Sequence, residues 1–229
     1  MEKIIKNKNT YIQYDSNTFD NFSSKLFNID YISKEGLIKS VMTGRGKALE
    51  VKYEDKSYFL KHYIRGGLVA KVSYDKYILG SLASTRAVKE YNFLNIMNEK
   101  GLPVPQAAAL QIIMSRFTYK ADLITRKIEN EGTLYEFIKN KKMNNKLWDE
   151  LGITLERFFQ EHVYHSDLNS KNIIIDKNYN FFLLDFDNSY FYYDKKLFHK
   201  SILRLERSLK KIDNYNNEFK VILERLANL

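Results

Sequence analysis

The spacing of apolar positions changes several times along the chain, and each change predicts an element. Residues 40–63, SVMTGRGKALEVKYEDKSYFLKHY, read as strand, glycine turn, strand, turn, strand; 47–53 and 56–63 alternate well enough to pair as a hairpin about Glu54 and Asp55. Residues 11–14 add a candidate edge strand upstream. Beyond HYIRGGLVAK, Val88, Tyr91, Leu94 and Met97 recur every three residues, a helical spacing that Gly101 closes. The prolines of LPVP (102–105) return the chain to extended structure. Strands are expected at 109–114 and 119–128, then a polar connector at 129–132. Thr133 and Glu136 have the spacing of a capping box and open a short helix through Ile138. Leu147, Leu151, Leu155, Phe158 and Phe159 share one stripe of a longer amphipathic helix. The segment 163–191, VYHSDLNSKNIIIDKNYNFFLLDFDNSYF, holds a loop and two short strands (173–175 and 181–184) about a turn at 177–180, and Leu197 onward reads as helix. The pattern is that of an α+β chain: a strand-rich part (1–128) with one helix, and a helical part (129–229) carrying a small hairpin.

Composition narrows this picture. With 229 residues and 44% hydrophobic content the chain can bury a core as one domain or two small lobes. It has no cysteine, which excludes disulfides and thiolate metal sites. The first residues, MEKIIKNKNTYIQY, lack the apolar core of a signal peptide, so the protein is expected to stay where it is made. The most apolar stretch, AAALQIIM (107–114), falls far short of the roughly 20 residues that cross a bilayer. A formal net charge of +9 favours anionic partners: nucleic acid, acidic lipid headgroups, or a phosphorylated or carboxylated substrate. Charge alone does not choose among them.

The segment 163–191 sets carboxylates against the ends of apolar strands, where they are costly unless a cation or hydrogen bonds offset them. Asp and Asn also dominate ordinary turns. Here, however, His165, Asp167 and Asn172 stand in H-S-D-L-N-S-K-N, which fits the H-x-D-L-x-x-x-N catalytic loop of protein kinases, and Asp185 follows in D-F-D. Phosphoryl transfer needs one carboxylate to orient and deprotonate the attacking hydroxyl, which suits Asp167. It also needs an amide oxygen and a second carboxylate to hold Mg²⁺ against the phosphates of ATP, which suits Asn172 and Asp185. The same chemistry asks for a glycine turn over the phosphates, offered by Gly44 and Gly46 in TGRG. It further asks for a strand lysine, Lys61 in FLKHY with Lys52 as competitor, and a helical glutamate, Glu90 in TRAVKEY. His165 reads as a packed brace for the loop rather than an acid or base. Asp187 stands where protein kinases have glycine; a second metal, loop orientation and turn capping are equally open for it. No A-P-E follows, and the 42 residues after Asp187 (188–229) are too few for a peptide-binding lobe, so the acceptor is not expected to be a protein.

Several stretches together resemble the bacterial 3-deoxy-D-manno-octulosonic acid (Kdo) kinases, in the lipopolysaccharide kinase group of kinase-like proteins. They are TGRG (43–46), LKHYIRGGLVAKV (60–72), TRAVKEYNFL (85–94), GLPVP (101–105), YKADLITRKI (119–128), VYHSDLNSKNIIID (163–176), LLDFD (183–187) and RLERSLKK (204–211). They cover most of the chain beyond residue 40. The chain departs from the family pattern at Phe159, His162 and Ser201, where that pattern has His, Gly and Asn. The resemblance implies a protein-kinase-like bilobal fold with a strand-rich N-lobe and a reduced, mainly helical C-lobe. It implies ATP- and Mg²⁺-dependent phosphorylation of the Kdo 4-hydroxyl on a lipid A precursor, at the cytoplasmic side of the inner membrane, in lipopolysaccharide assembly. Such an acceptor is anionic, so Arg65 and the stripe Arg204, Arg207 and Lys211 are candidate contacts for it or for the membrane, and Gly66-Gly67-Leu68-Val69 for the lipid surface. The alternatives are a heptose or aminoglycoside-like small-molecule kinase and, in another class, a pseudokinase or nucleic-acid-binding module. No nucleic-acid partner is expected, since the aromatics at 190–198 are assigned to packing rather than to base stacking.

Overall fold

A computed structural model describes residues 1–42, 48–65 and 75–227. TGRG and the Gly66-Gly67-Leu68-Val69 turn therefore lie outside the described residues, and so do the candidate sites Gly44 and Gly46. The chain divides into two compact units, 1–95 with 106–127 and 96–105 with 128–229.

The first unit contains β1 (Glu2–Asn7), β2 (Thr10–Asp15), α1 (Ile29–Lys34), β3 (Ile38–Met42), β4 (Ala48–Tyr53), β5 (Lys56–His62), β6 (Tyr77–Ile78), most of α2 (Arg86–Glu99), β7 (Ala107–Met114) and β8 (Thr118–Arg126). Among the described residues its strands form one antiparallel sheet in the order β1-β2-β7-β8-β5-β4-β3, with β6 also on β8. The β4–β5 hairpin turns at Glu54 and Asp55, both at positive φ (50° and 59°), the twist that a two-residue hairpin turn requires. The strand expected at an edge, 11–14, is interior as part of β2. The edge is β1, whose EKIIKN lacks the alternation that announces a strand; its exposed, charged positions suit an unpaired border. One face of the sheet is covered by residues that carried no sequence expectation: Phe19, Leu26, Phe27 and Ile32 close a core with Ile12, Val51, Tyr58, Leu60 and Ile124. That burial draws on the alternation within β5, where Tyr58 and Leu60 face the core and Lys61 turns the other way.

The second unit comprises β9 (Gly132–Thr133), α3 (Leu134–Lys139), α4 (Asn145–Gln160), β10 (Val163–Tyr164), β11 (Ile173–Ile175), β12 (Phe181–Leu183), β13 (Tyr190–Phe191), α5 (Lys195–Leu209) and α6 (Phe219–Ala227). Segment 96–105, which the sequence division leaves in the strand-rich part, belongs here. Leu183 N–H donates to the Pro103 carbonyl at 3.0 Å, Arg157 bonds the Gly101 carbonyl, and Lys100 pairs with Glu161 at 2.6 Å. Thr133 and Glu136 form the capping box in both directions. The helix expected from Leu197 onward is not continuous: it is broken at 210–218, where Asn214 and Asn217 take left-handed φ values of 71° and 64°. Asparagine tolerates that conformation, and a run such as IDNYNN favours a turn over helix. β10 pairs with β13, and β11 with β12 and β9, so the loop after β10 and the turn after β12 emerge from fixed strand ends.

The stripe of α4 buries Leu147, Leu151, Leu155, Phe158 and Phe159 as its periodicity requires. Leu155→Ala is expected to destabilise the protein by about 2–5 kcal/mol, from lost transfer energy plus a residual cavity, read as a lower urea midpoint at unchanged m-value.

Candidate functional site

The first unit carries a buried charge pair. Lys61 is held at the end of β5 by its register with Leu123 of β8, and Glu90 sits one turn into α2. Glu90 is only 5% exposed; it takes Lys61 Nζ at 2.9 Å (Oε2) and 3.1 Å (Oε1), and Tyr63 Oη donates to it at 2.6 Å. A carboxylate this buried is tolerable only with such partners. Lys61 also lies 4.8 Å above the Tyr63 ring. The competing Lys52 instead meets fully exposed Asp55 across the hairpin turn at 3.5 Å, a solvated pair. Arg65 donates from Nε to the Lys76 carbonyl at 2.7 Å and stacks on Tyr77, a ring it shares with Arg86.

The second unit carries the acidic loop. His165 is 2% exposed, and its Nε2 bonds the Leu184 carbonyl at 2.9 Å while Nδ1 accepts the Asp167 N–H at 3.2 Å. A ring that donates from one nitrogen and accepts at the other is neutral with its proton on Nε2, so His165 braces the loop as expected of it. The Asp167 carbonyl accepts from both Asn169 Nδ2 and Asn172 Nδ2, each at 2.9 Å. That leaves the Asn172 Oδ1 outside the bond. Leu184 N–H donates to the Asn172 carbonyl at 2.8 Å, which brings the residue before Asp185 against the loop. In D-F-D the side chains divide: Phe186 is buried, 4.6 Å from the His165 ring and 6.2 Å from Phe158, while Asp185, at φ 62°, is exposed. Asp187 takes Ser166 Oγ on its carbonyl at 2.5 Å, a loop-ordering bond made by its backbone.

Among the described residues no three acidic or histidine side chains gather as a metal cage. Mg²⁺ does not need one: it keeps waters and takes one or two protein oxygens plus phosphate. An exposed carboxylate at Asp185 and an amide oxygen at Asn172, both hard donors on adjoining backbone, fit it.

One family profile, the lipopolysaccharide kinase (Kdo/WaaP) family, matches residues 33–224. The chain belongs to this family. Lipopolysaccharide kinases transfer a phosphoryl group to a hydroxyl, with ATP as the kinase donor. Similar curated proteins include the 3-deoxy-D-manno-octulosonic acid kinases of Photobacterium damsela subsp. piscicida (30% identical over 91% of this chain and 88% of that protein) and Vibrio cholerae serotype O1 (29%, 82% and 80%). That of Mannheimia succiniciproducens is 34% identical over 67% of each. The solved structure of the Cydia pomonella granulovirus kinase PK-1 reaches a TM-score of 0.47 at 16% identity over 72% of this chain and 60% of its own, too remote a likeness to bear on fold or function.

The positions that depart from the family pattern are accommodated. His162 sits at φ 56°, the left-handed conformation that glycine adopts freely. Phe159 packs edge-on against Phe198 at 4.9 Å. Ser201 takes the His165 N–H at 3.1 Å and returns its own hydroxyl to the His165 carbonyl at 2.9 Å.

Two features have no signal in the sequence. Arg204, expected on acceptor or membrane, is paired with Asp167: Nε lies 2.8 Å and Nη2 2.5 Å from Oδ1. Arg207 and Lys211 are exposed. The second feature is His62, between Asp122 (Nδ1 to Oδ1, 2.6 Å) and Asp75 (Nε2 to Oδ2, 3.4 Å), with Lys120 on Asp75 at 2.6 Å. The bond to Asp122 raises the His62 pKa; burial opposes, and the charges of both carboxylates add to the rise. Only the register of β5 on β8 brings His62 opposite Asp122, and no local pattern encodes that pairing. Because the folded-state value lies above the ordinary one of about 6.5, the cluster's stabilisation is full below that pH and lost as pH rises through the folded value. Wild-type urea midpoints are therefore expected to fall across that rise, and His62→Gln to remove this component of the slope.

Proposed function

We propose that this chain is an ATP- and Mg²⁺-dependent Kdo kinase that phosphorylates the 4-hydroxyl of Kdo on a lipid A precursor during assembly of the lipopolysaccharide inner core. The observation that carries the reading is Asp167, fixed through its backbone by His165, Asn169 and Asn172 and open at Oδ2, in a chain whose curated relatives are named Kdo kinases. Asp167 orients the acceptor hydroxyl and takes its proton as the bond from that oxygen to the γ-phosphorus of ATP forms and the bond from that phosphorus to the β-phosphate oxygen breaks, with ADP as the leaving group. Asn172 and Asp185 would hold Mg²⁺, and the ion would supply charge neutralisation at the phosphates. Lys61, kept extended by Glu90, offers its ammonium to phosphate oxygens, and Gly44 and Gly46 are assigned to the turn over them. An acceptor bearing carboxylate and phosphates agrees with the net charge of +9.

We place the enzyme peripherally at the cytoplasmic face of the inner membrane. No helix among the described residues is long and apolar enough to cross a membrane. What supports attachment is a corner of the first unit where Ile78 and Phe117 are 81% and 67% exposed, beside the exposed cation Arg116. Aromatic and aliphatic side chains beside a basic one suit an anionic headgroup layer. Ile78→Ser with Phe117→Ser is expected to reduce co-sedimentation with vesicles containing anionic lipid by several-fold, with no loss of turnover on detergent-dispersed acceptor.

The function is tested by incubating the protein with ATP, Mg²⁺ and Kdo-lipid A precursor and locating the new phosphate by mass spectrometry; phosphate on the Kdo 4-hydroxyl is expected. Transfer only to free heptose or an aminoglycoside would replace the reading. Asp167→Ala should lower kcat by at least about 10²-fold at unchanged nucleotide affinity, whereas Asp185→Ala should also lose Mg²⁺-dependent nucleotide binding. Near-normal turnover by Asp167→Ala would remove it as the base.

A further inference from the structure

Arg204 holds Asp167 by a single oxygen. Its Nε and Nη2 both point at Oδ1, and the remaining bonds of Asp167 are made by its backbone, so Oδ2 takes no hydrogen bond among the described residues. The two side chains are about equally open, 43% exposed for Arg204 and 40% for Asp167. An ion pair this solvated adds little to stability, so its weight lies in direction rather than in folding energy.

The helix makes that direction firm. Ser201, Arg204 and Ser208 fall at i, i+3 and i+7 of α5, on one face, and meet the loop in order. Ser201 bonds the backbone of His165 on both sides, Arg204 takes Asp167, and Ser208 Oγ accepts the Ser170 N–H at 2.9 Å. Arg204 is thus anchored one turn before and one turn after itself. A guanidinium is a planar fork with five N–H donors. The Nε–Nη2 edge is spent on Asp167, and Nη1 makes no hydrogen bond among the described residues. One cation therefore sets the carboxylate on one edge and presents donors from the other, a single group-width from the atom that receives the hydroxyl proton.

We propose that Arg204 is a positioning and specificity residue: it fixes the rotamer of Asp167 so that Oδ2 faces the acceptor hydroxyl, and its open Nη1 edge receives the acceptor's carboxylate. The second half rests on the acceptor being a Kdo sugar, an acid with hydroxyls on the same ring. The carboxylate and the reacting hydroxyl are then registered against the same helix face. A neutral sugar meets the hydroxyl site without the second anchor.

The full-length enzyme is assayed with ATP, Mg²⁺ and two acceptors, the Kdo glycolipid and its Kdo carboxamide analogue, as wild type, Arg204→Ala and Arg204→Lys. Wild type is expected to favour the acid by about 10-fold or more in kcat/KM, the scale of a charge-assisted hydrogen bond. Arg204→Ala should lower kcat on both acceptors, raise KM for the acid and bring the acid-to-amide ratio to within about twofold of unity. Added guanidinium ion should restore part of its kcat, and Arg204→Lys should fall between, keeping charge without the fork. Nucleotide affinity and thermal midpoint should stay at wild-type values, which a folding defect would not allow. Retention of the acid preference in Arg204→Ala overturns the specificity role, and undiminished kcat overturns the positioning role. If wild type transfers phosphate to another acceptor and ignores Kdo, the Kdo reading and the specificity role fall together. The positioning role is then decided on that acceptor by the kcat loss and the guanidinium rescue.

Discussion

The candidate chemistry of the second unit depends on holding one charged side chain still in a segment with no regular structure of its own. Asp167 lies between β10 and β11, on a loop that neither strand orders by itself. Its backbone is fixed from within by the neutral His165 ring and two asparagine amides, and its side chain from outside by α5. The polar contacts close in pairs: donors of the loop find acceptors on the helix, and the reverse. Buried or half-buried polar groups are stable only when satisfied in this way. The buried Phe186 makes the arrangement possible, since it lets Asp185 turn outward while His165 rests on its ring.

The first unit meets a related difficulty with different elements. There a carboxylate is buried outright, and a lysine and a tyrosine hydroxyl compensate it. Sheet and helix each supply one half of the charge pair. β5 aims Lys61 away from the core that Tyr58 and Leu60 fill, and α2 brings Glu90 to meet it. Placing a cation opposite an anion on a rigid strand and a rigid helix fixes the extension of the lysine side chain, at the entropic cost that ordering a long flexible group carries.

Periodicity exposes the elements whose signal is local. The β4–β5 hairpin, the α4 stripe, the capping box at Thr133 and the two strands around the acidic turn follow from spacing alone. The loop motif also singles out Asp167, Asn172 and Asp185 as candidates, because their order along the chain is itself the signal. What stays hidden depends on register between distant segments. β1 lacks apolar alternation because it is an exposed border; His62 meets Asp122 only through strand pairing. Arg204 reads as one of a row of surface cations, since its partner lies 37 residues away. The meaningful stripe on α5 is polar and uncharged at two of its three positions, Ser201 and Ser208, where hydrophobic periodicity carries no information.

The contact between α5 and the loop has a consequence for how this part of the chain can vary. Three side chains on successive turns are matched to three loop residues, and an α-helix advances about 1.5 Å and rotates about 100° per residue. Replacing any one partner weakens one bond and leaves the others in register. Inserting or deleting a single residue between Ser201 and Ser208 would rotate everything beyond it away from the loop, so that no choice of side chain could recover the match. Length is thus the quantity that this geometry holds constant in residues 201–208, and sequence drift is admitted there only where spacing is kept.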